Sequence, residues 1–403
     1  MGNGFLRYHP QVYPIDGNGV KIAPSGFRRS FQPESDMSES TGHCSRRGFL
    51  AAAAAAGATG LTMKARANEP VAPAKLKLGF DNFSIRAFNW KAPRLIEYAA
   101  SQKVDTLLIS NLDAFDSLDA ADLNKVRQQA DKAGIELQVG TGSICPTSKS
   151  YREEKWGKAE DHARLLVRTA KSLGTSVARC YIGSRRDRDG EGGIYPHIDE
   201  TVKVLKAVKS EAEDAGVKFA VENHAGDMQA WELVTLIEAA GKSFVGATMD
   251  SGNAVWAIED PMLNLDILGP YAVTTGLRDT AVWEVESGAK AMWANMGRGV
   301  VDWPAYVAKY RELCPQAPFV LEIISYKWGG DMPYYKPEFW SRFPKAKAHE
   351  FARFVALARG GKPFELPPGR PAGRETPELE QVQQKFDLEQ SLKYCREVLG
   401  IGS

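Results

Sequence analysis

Eight short apolar runs alternate with amphipathic helical stretches between residues 76 and 323, and few folds accept that alternation. The runs read as strands near 76–81, 104–110, 135–140, 177–182, 217–222, 245–250, 271–276 and 318–323. Helical stretches fall at 92–101, 120–133, 157–173, 198–215 and 231–240, and Gly134 and Gly216 stand just past two of them, where helices end. Eight strand–helix units in roughly 250 residues are the size of a (β/α)8 TIM barrel, an α/β fold of parallel strands. The competing arrangement is a doubly wound open sheet. Its usual mark, a G-x-G-x-x-G turn after the first strand, is absent.

The ends of the chain read differently. Ser45-Arg46-Arg47-Gly48-Phe49-Leu50 has the form of a twin-arginine export signal, with an Ala/Gly-rich run behind it and an A-x-A triplet at Ala65-Arg66-Ala67. We therefore expect residues 1–67 to be an N-terminal extension and signal peptide, with the mature chain starting near Asn68. Export through the twin-arginine machinery implies a periplasmic or otherwise extracytoplasmic protein. Met37 lies nine residues before Arg46 and is the expected true start. The apolar run is too short and too rich in Gly and Ala for a stable membrane span. The expected barrel domain is 68–359. Residues 360–403 form a Pro/Gly-rich linker and a terminal helix at 376–398, packed on the barrel or on a second subunit; a homo-oligomer stays open.

Charge is balanced, 51 Lys and Arg against 50 Asp and Glu, so no broad field favours nucleic acid or an anionic membrane. Of five cysteines, Cys44 leaves with the signal, and Cys145, Cys180, Cys314 and Cys395 show no metal spacing. They read as core thiols, with pairing in an oxidising periplasm as the alternative.

Three carboxylates close three of the apolar runs: Glu222 after VKFAV, Asp250 after FVGATM and Glu322 after FVL. In a barrel, side chains at the C-terminal strand ends line one mouth, so all three are expected at a common site. Buried acids demand compensation, and a shared divalent cation supplies it.

The segments VENHAGD (221–227), MDSGN (249–253), GLRD (276–279), GRGVVDW (297–303) and VLEI (320–323) resemble, in order and strand placement, the sugar phosphate isomerase/epimerase superfamily of xylose isomerase-like barrels. The resemblance spans about residues 75–358. It implies that Glu222 and Glu322 act as the acid–base pair, and that Glu222, Asp250 and Glu322 bind a divalent metal. The family's strand-seven histidine is here Gly276, and the histidine it often carries three residues after the strand-six acid is Asn253. All-oxygen ligation then suits Mg²⁺ or Mn²⁺ over Zn²⁺.

Around the acids, His224, Asn253, Arg278, Lys327 and Trp328 are the expected substrate-binding residues. His224 has the chemistry to bind a sugar hydroxyl, shuttle a proton or orient Glu222. Arg278 either reaches the space left by Gly276, to bind a substrate carboxylate or carbonyl oxygen, or takes a structural place beside Asp279, the latter being favoured. The segment 328–340 gathers five aromatic residues and is expected to serve partly as a substrate lid and partly as packing. Arg185 and Arg186 read as a solvated turn, and His349 as a surface residue.

These residues point to enediolate proton transfer on a carbohydrate, giving a metal-dependent isomerase or epimerase. Two other readings stand beside it. The same enolate can expel a β-leaving group, as in a lyase or hydratase acting on keto-sugars or keto-glycosides. The third is a non-catalytic periplasmic carbohydrate-binding barrel. Export argues for a non-phosphorylated sugar or keto-sugar, and no Gly-rich phosphate cradle is visible.

Overall fold

The structure is a computed structural model that describes residues 75–402 except Ser325 and Trp328. The export signal, its cleavage triplet, Met37, Cys44 and Trp328 lie outside the described residues.

The apolar runs become strands β1 (Leu78–Asp81), β2 (Thr106–Ile109), β3 (Glu136–Ser143), β4 (Val177–Tyr181), β5 (Lys218–Glu222), β6 (Val245–Met249) and β7 (Ala272–Thr275). An antiparallel hairpin of β8 (Asp279–Val285) and β9 (Gly288–Ala294) then intervenes before β10 (Phe319–Leu321) closes the series. The parallel sheet runs β10-β1-β2-β3-β4-β5-β6-β7 without a reversal of order. Its two ends meet: β10 pairs with β1 in register Leu78 opposite Phe319, and also touches β7 through the single bridge Leu277–Leu321. At that seam Leu277 N donates to Val320 O at 2.8 Å and Glu322 N donates to Leu277 O at 3.1 Å. The sheet is thus a nearly closed barrel, and an open doubly wound sheet is excluded.

Strands covered on both faces read as continuous apolar runs, which is why these eight stood out. Leu78, Phe80, Leu107, Val139, Phe219 and Val221 are all fully buried. Inside the barrel, Thr274 Oγ1 of β7 donates to Gln138 Oε1 of β3 at 2.5 Å, so these interior polar groups satisfy each other. Helices fill the strand connections as expected, except that 198–215 breaks at Val208 into Tyr195–Ala207 and Lys209–Asp214. Gly134 at φ 70° and Gly216 at φ 65° end their helices in the left-handed conformation that glycine adopts without a Cβ penalty.

A second, three-stranded antiparallel sheet runs β11-β9-β8, with β11 at Gly329–Met332. It has its own apolar cluster, which includes Trp256, Trp293, Tyr334, Phe339 and Phe354. The described part of the aromatic segment, 329–340, therefore contributes mainly packing: Tyr334 and Phe339 are buried and Trp340 Nε1 donates to Tyr334 O at 2.8 Å. Among the described aromatic residues of the segment, Tyr335 is the exposed one, at 56%.

The C-terminal helix, Pro377–Glu397, packs on the turn Asn82–Phe88 that follows β1. Ala87 N donates to Gln384 Oε1 at 2.9 Å and Gln381 Nε2 donates to Ala87 O at 3.0 Å. Leu388, Leu392 and Cys395 of this helix join the barrel core. Cys145, Cys180, Cys314 and Cys395 are free and buried. Among the described residues no helix is long and apolar enough to cross a membrane.

Candidate active site

Glu222 is the last residue of β5, while Asp250 and Glu322 directly follow β6 and β10. All three reach one point at the C-terminal mouth, where a set of their carboxylate oxygens lies within 4.8 Å of one another. They are 1%, 0% and 4% exposed, so Glu322 is the most accessible of the three.

Backbone geometry fixes their directions. Asp250 caps the short helix Ser251–Trp256: its Oδ1 accepts from Gly252 N at 2.8 Å and Asn253 N at 2.9 Å, leaving Oδ2 for the centre. Asn223 ties β5 to β6 in both directions, since its Nδ2 donates to Asp250 O and its Oδ1 accepts from Asp250 N, each at 2.9 Å. Asn253 Nδ2 then donates to Glu222 Oε1 at 3.1 Å and to Asp250 Oδ2 at 2.7 Å.

Two guanidinium groups enter the acidic cluster. Arg179, in the middle of β4, donates from Nε to Glu222 Oε2 at 2.6 Å and from Nη1 to Thr141 O at 3.1 Å. Arg278 bridges the other two acids, its Nη2 donating to Asp250 Oδ2 and to Glu322 Oε2. The Arg278 guanidinium stacks over the Trp293 ring at 4.9 Å, so β9 supplies its platform. The favoured expectation, a structural place for Arg278 beside Asp279, is corrected here. Consecutive residues of extended chain point to opposite faces, and Asp279 instead accepts from Trp303 Nε1 at 2.9 Å and from Thr280 N at 2.9 Å.

These surroundings push the acids apart. Burial raises the Glu222 carboxyl well above the usual range, against the pull of Arg179. Burial also raises Asp250 to about 6 and Asp81 to about 7, the latter helped by the Glu322 charge. For Glu322 burial acts in the same direction, but Arg278, Arg179 and other neighbouring groups outweigh it and hold the carboxyl below its ordinary value. Among the described hydrogen bonds, Glu322 Oε1 has no donor. It is the open carboxylate oxygen of the cluster.

His224 stacks face to face on Tyr181, with ring centroids 3.8 Å apart, and its Nδ1 lies 2.5 Å from Gly183 O. Nδ1–H therefore donates to that carbonyl, and the unbonded Nε2 is left as an acceptor. Burial lowers the ring to about 4, which keeps it neutral. Lys327 is not drawn into this group: it is exposed, and Nζ binds Glu380 of the C-terminal helix at 2.6 Å. It lines a separate cavity of about 640 Å³ with Arg86, Tyr326 and Arg370.

His162 and His197 have partners the sequence did not disclose: His162 stacks on Trp156 and meets Thr141, and His197 meets Thr147. His349 is on the surface. Arg185 and Arg186 lie in a 3₁₀ turn, Arg186 exposed and Arg185 over the Trp256 ring at 5.5 Å.

Arg179 and Asp81 were missed from sequence. Asp81 ends β1 just as Glu222 ends β5, and its Oδ1 accepts from Ser110 Oγ at 2.6 Å, so the strand-end rule would have found it. Arg179 gave a signal too: a charge inside the buried run VARCYI requires a buried counter-charge.

By spacing alone, the three acids could converge on one divalent ion. The inner oxygens of Asp250 and Glu322, however, are already bound to Arg278, and no nitrogen ligand stands on β7. A Cβ added to Gly276 would lie 3.4 Å from Glu322 Oε2 and 3.7 Å from Asp250 Oδ2, so the side chain absent at 276 is the one that would point into the cluster. An ion and the Arg278 guanidinium do not fit between these oxygens together.

A nearly closed parallel barrel with its acids at the C-terminal mouth defines a TIM-barrel protein built around a polar centre. The chain belongs to the xylose isomerase-like TIM barrel family, whose sequence model matches residues 95–342. A 3-oxo-isoapionate decarboxylase of Pectobacterium atrosepticum is 23% identical over 234 residues, which cover 55% of this chain and 77% of that relative. A xylose isomerase domain protein from Planctomyces limnophilus has a similar structure, with TM-score 0.51 at 17% identity, covering 76% of this chain and 93% of its own. A D-psicose 3-epimerase solved in the presence of D-fructose matches with TM-score 0.51 at 15% identity, covering 81% of this chain and all 100% of its own. At these identities the structural likenesses speak for the fold.

Proposed function

We infer that the protein is an enzyme that moves a proton at carbon beside a carbonyl of a non-phosphorylated sugar or keto-sugar, with isomerisation or epimerisation as the outcome. One observation carries this reading: two glutamates meet in a single buried cluster with different bonding, Glu222 held at both oxygens by Arg179 and Asn253, and Glu322 held at Oε2 by Arg278 with Oε1 left open. Carboxylates of one site that are bonded so differently suit different roles in proton transfer. Glu322 takes the proton through its open Oε1, and Glu222, paired with Arg179, is the second carboxylate of the proton-transfer pair. The free acceptors His224 Nε2 and Asn253 Oδ1 would take hydroxyl protons of a sugar, and an epimerase among the structural relatives agrees with a carbohydrate substrate.

A second reading starts from the same enolate. Loss of carbon dioxide from a 3-oxo acid yields it directly, and the Pectobacterium relative is named for such a reaction. Expulsion of a β-leaving group from a keto-sugar is the other lyase route. Were Arg278 displaced, the three carboxylates would offer an all-oxygen set suited to Mg²⁺ or Mn²⁺. The twin-arginine segment, Ser45–Leu50, supports an extracytoplasmic location and hence an unphosphorylated substrate.

Incubation with keto-sugars and 3-oxo sugar acids in D₂O, read by NMR, tests these readings. Deuterium entering the carbon beside the carbonyl with the skeleton intact supports isomerisation or epimerisation. Deuterium accompanied by release of carbon dioxide or of a leaving group supports the lyase. Binding without any exchange, unchanged in Glu222→Gln and Glu322→Gln, would leave a carbohydrate-binding barrel.

A further inference from the structure

We propose that Arg278 is the resident cation of this centre, so that the three-carboxylate cluster works without a bound divalent ion. The proposal deepens the proton-transfer reading and rests on it for the role of the cation, although the occupancy itself does not.

Three separate features build the place for this side chain. Gly252 admits its stem: a Cβ there would stand 2.3 Å from Arg278 Cγ and 2.9 Å from Cδ. Gly276 leaves the space between Asp250 and Glu322 clear for the guanidinium. Trp293 gives the guanidinium a face to lie on at 4.9 Å, and this tryptophan comes from the hairpin that interrupts the strand–helix alternation. A side chain that had merely drifted onto two acids would not need a glycine, a vacated ligand position and an aromatic platform together.

The charges agree. Glu222, Asp250 and Glu322 face Arg179 and Arg278, with Asp81, Arg86 and neutral His224 around them. A divalent ion placed among the inner oxygens would meet a guanidinium already bonded to two of its three ligands, and like charges repel most strongly where water is excluded. The guanidinium also has donors to spare. Arg278 Nη2 is used by the two acids, while buried Nε and Nη1 have no hydrogen-bond partner among the described residues. A buried donor without a partner is costly to leave so. A carbonyl oxygen that gains negative charge as its neighbouring carbon loses a proton is the acceptor that would satisfy it.

The test is Mn²⁺ binding to the purified full chain, followed by EPR and by metal analysis after dialysis. Wild-type protein is expected to leave the free Mn²⁺ signal undiminished. Arg278→Met, which removes the charge at similar volume, is expected to bind Mn²⁺ at least about tenfold more tightly, in line with the dependence of such sites on ligand charge count. Arg278→Lys keeps a charge in place; it is expected to fold even where Arg278→Met does not, and to exclude the ion as wild type does. Stoichiometric Mn²⁺ uptake by the wild type or by Arg278→Lys overturns the proposal.

Activity is read separately by deuterium exchange. Exchange that survives EDTA treatment supports a resident cation, whereas exchange lost to EDTA and restored by Mn²⁺ overturns it and leaves proton transfer standing. Exclusion of Mn²⁺ by wild type with no exchange on any substrate would retire the proton-transfer reading and keep the assignment of the cation.

Discussion

Arg179 and Glu222 lie on adjacent strands and form an ion pair inside the barrel, with Nε 2.6 Å from Oε2 and both side chains almost wholly buried. Each is the other's main compensation for leaving water. Removing one partner of such a pair strands the other, at a cost of about 3–5 kcal/mol. Arg179→Met is therefore expected to lower the unfolding free energy by about that amount in urea denaturation. A loss below about 1 kcal/mol, the scale of an exposed pair, would show that water reaches Glu222 freely.

The two glutamates should fail in chemistry, and Glu222→Gln, which leaves Arg179 without its counter-charge, should lose stability as well. Glu222→Gln and Glu322→Gln keep the size of the side chain and remove its proton-carrying capacity. Each is expected to slow deuterium exchange by roughly 10²–10⁴-fold, the usual worth of a positioned general acid or base. Ligand-induced changes in tryptophan fluorescence should persist in both variants. Full exchange in either one would remove that residue from the proton path.

Stability should fall as the medium becomes alkaline. Burial raises Asp81 and Asp227 to about 7 and Glu259 to about 8, well above their ordinary values. A folded state with raised carboxyl pKa values holds protons that the unfolded chain has released, so its stability is fully present below the unfolded values and is lost as pH rises through the folded ones. Denaturation midpoints measured from pH 5 to pH 8 should decline across that window. A midpoint that climbs over the same range would contradict the raised values.

The terminal helix should prove structural. Leu388 and Leu392 are fully buried against the barrel, and burial of each such side chain contributes about 1.5–3 kcal/mol. Ending the chain before Thr376 would also remove the Gln384 and Gln381 bonds to Ala87. The shortened protein is expected to melt earlier and to expose apolar surface to a hydrophobic dye. An unchanged melting profile would mean that the helix only rests on the barrel.

What the sequence disclosed followed from one physical regularity. A parallel strand covered on both faces must be apolar throughout, so the barrel strands and the acids that end them stand out as interruptions in apolar text. The hairpin β8–β9 escaped because DTAVWEV and GAKAMWA mix polar residues into a sheet that packs on one side. With the hairpin went Trp293, and with Trp293 the place of Arg278. Asp279, adjacent in sequence, looked like the natural partner of Arg278, yet adjacency along an extended chain separates side chains. Arg179 was read as part of a strand and not as a charge needing an answer, which left Glu222 without its visible partner.

Along most of its wall the barrel is zipped by strand pairs several residues long, but between β7 and β10 the backbone ladder is one bridge, Leu277–Leu321, helped by the Thr275 hydroxyl on Val320. Arg278 follows one side of that fastening and Glu322 follows the other. The joint with the fewest rungs in the wall and the contact between the cation and the open carboxylate are thus one place. Breathing of the barrel there is also a change in the grip of Arg278 on Glu322, and amide hydrogen exchange at Leu277 and Glu322 would measure the two together.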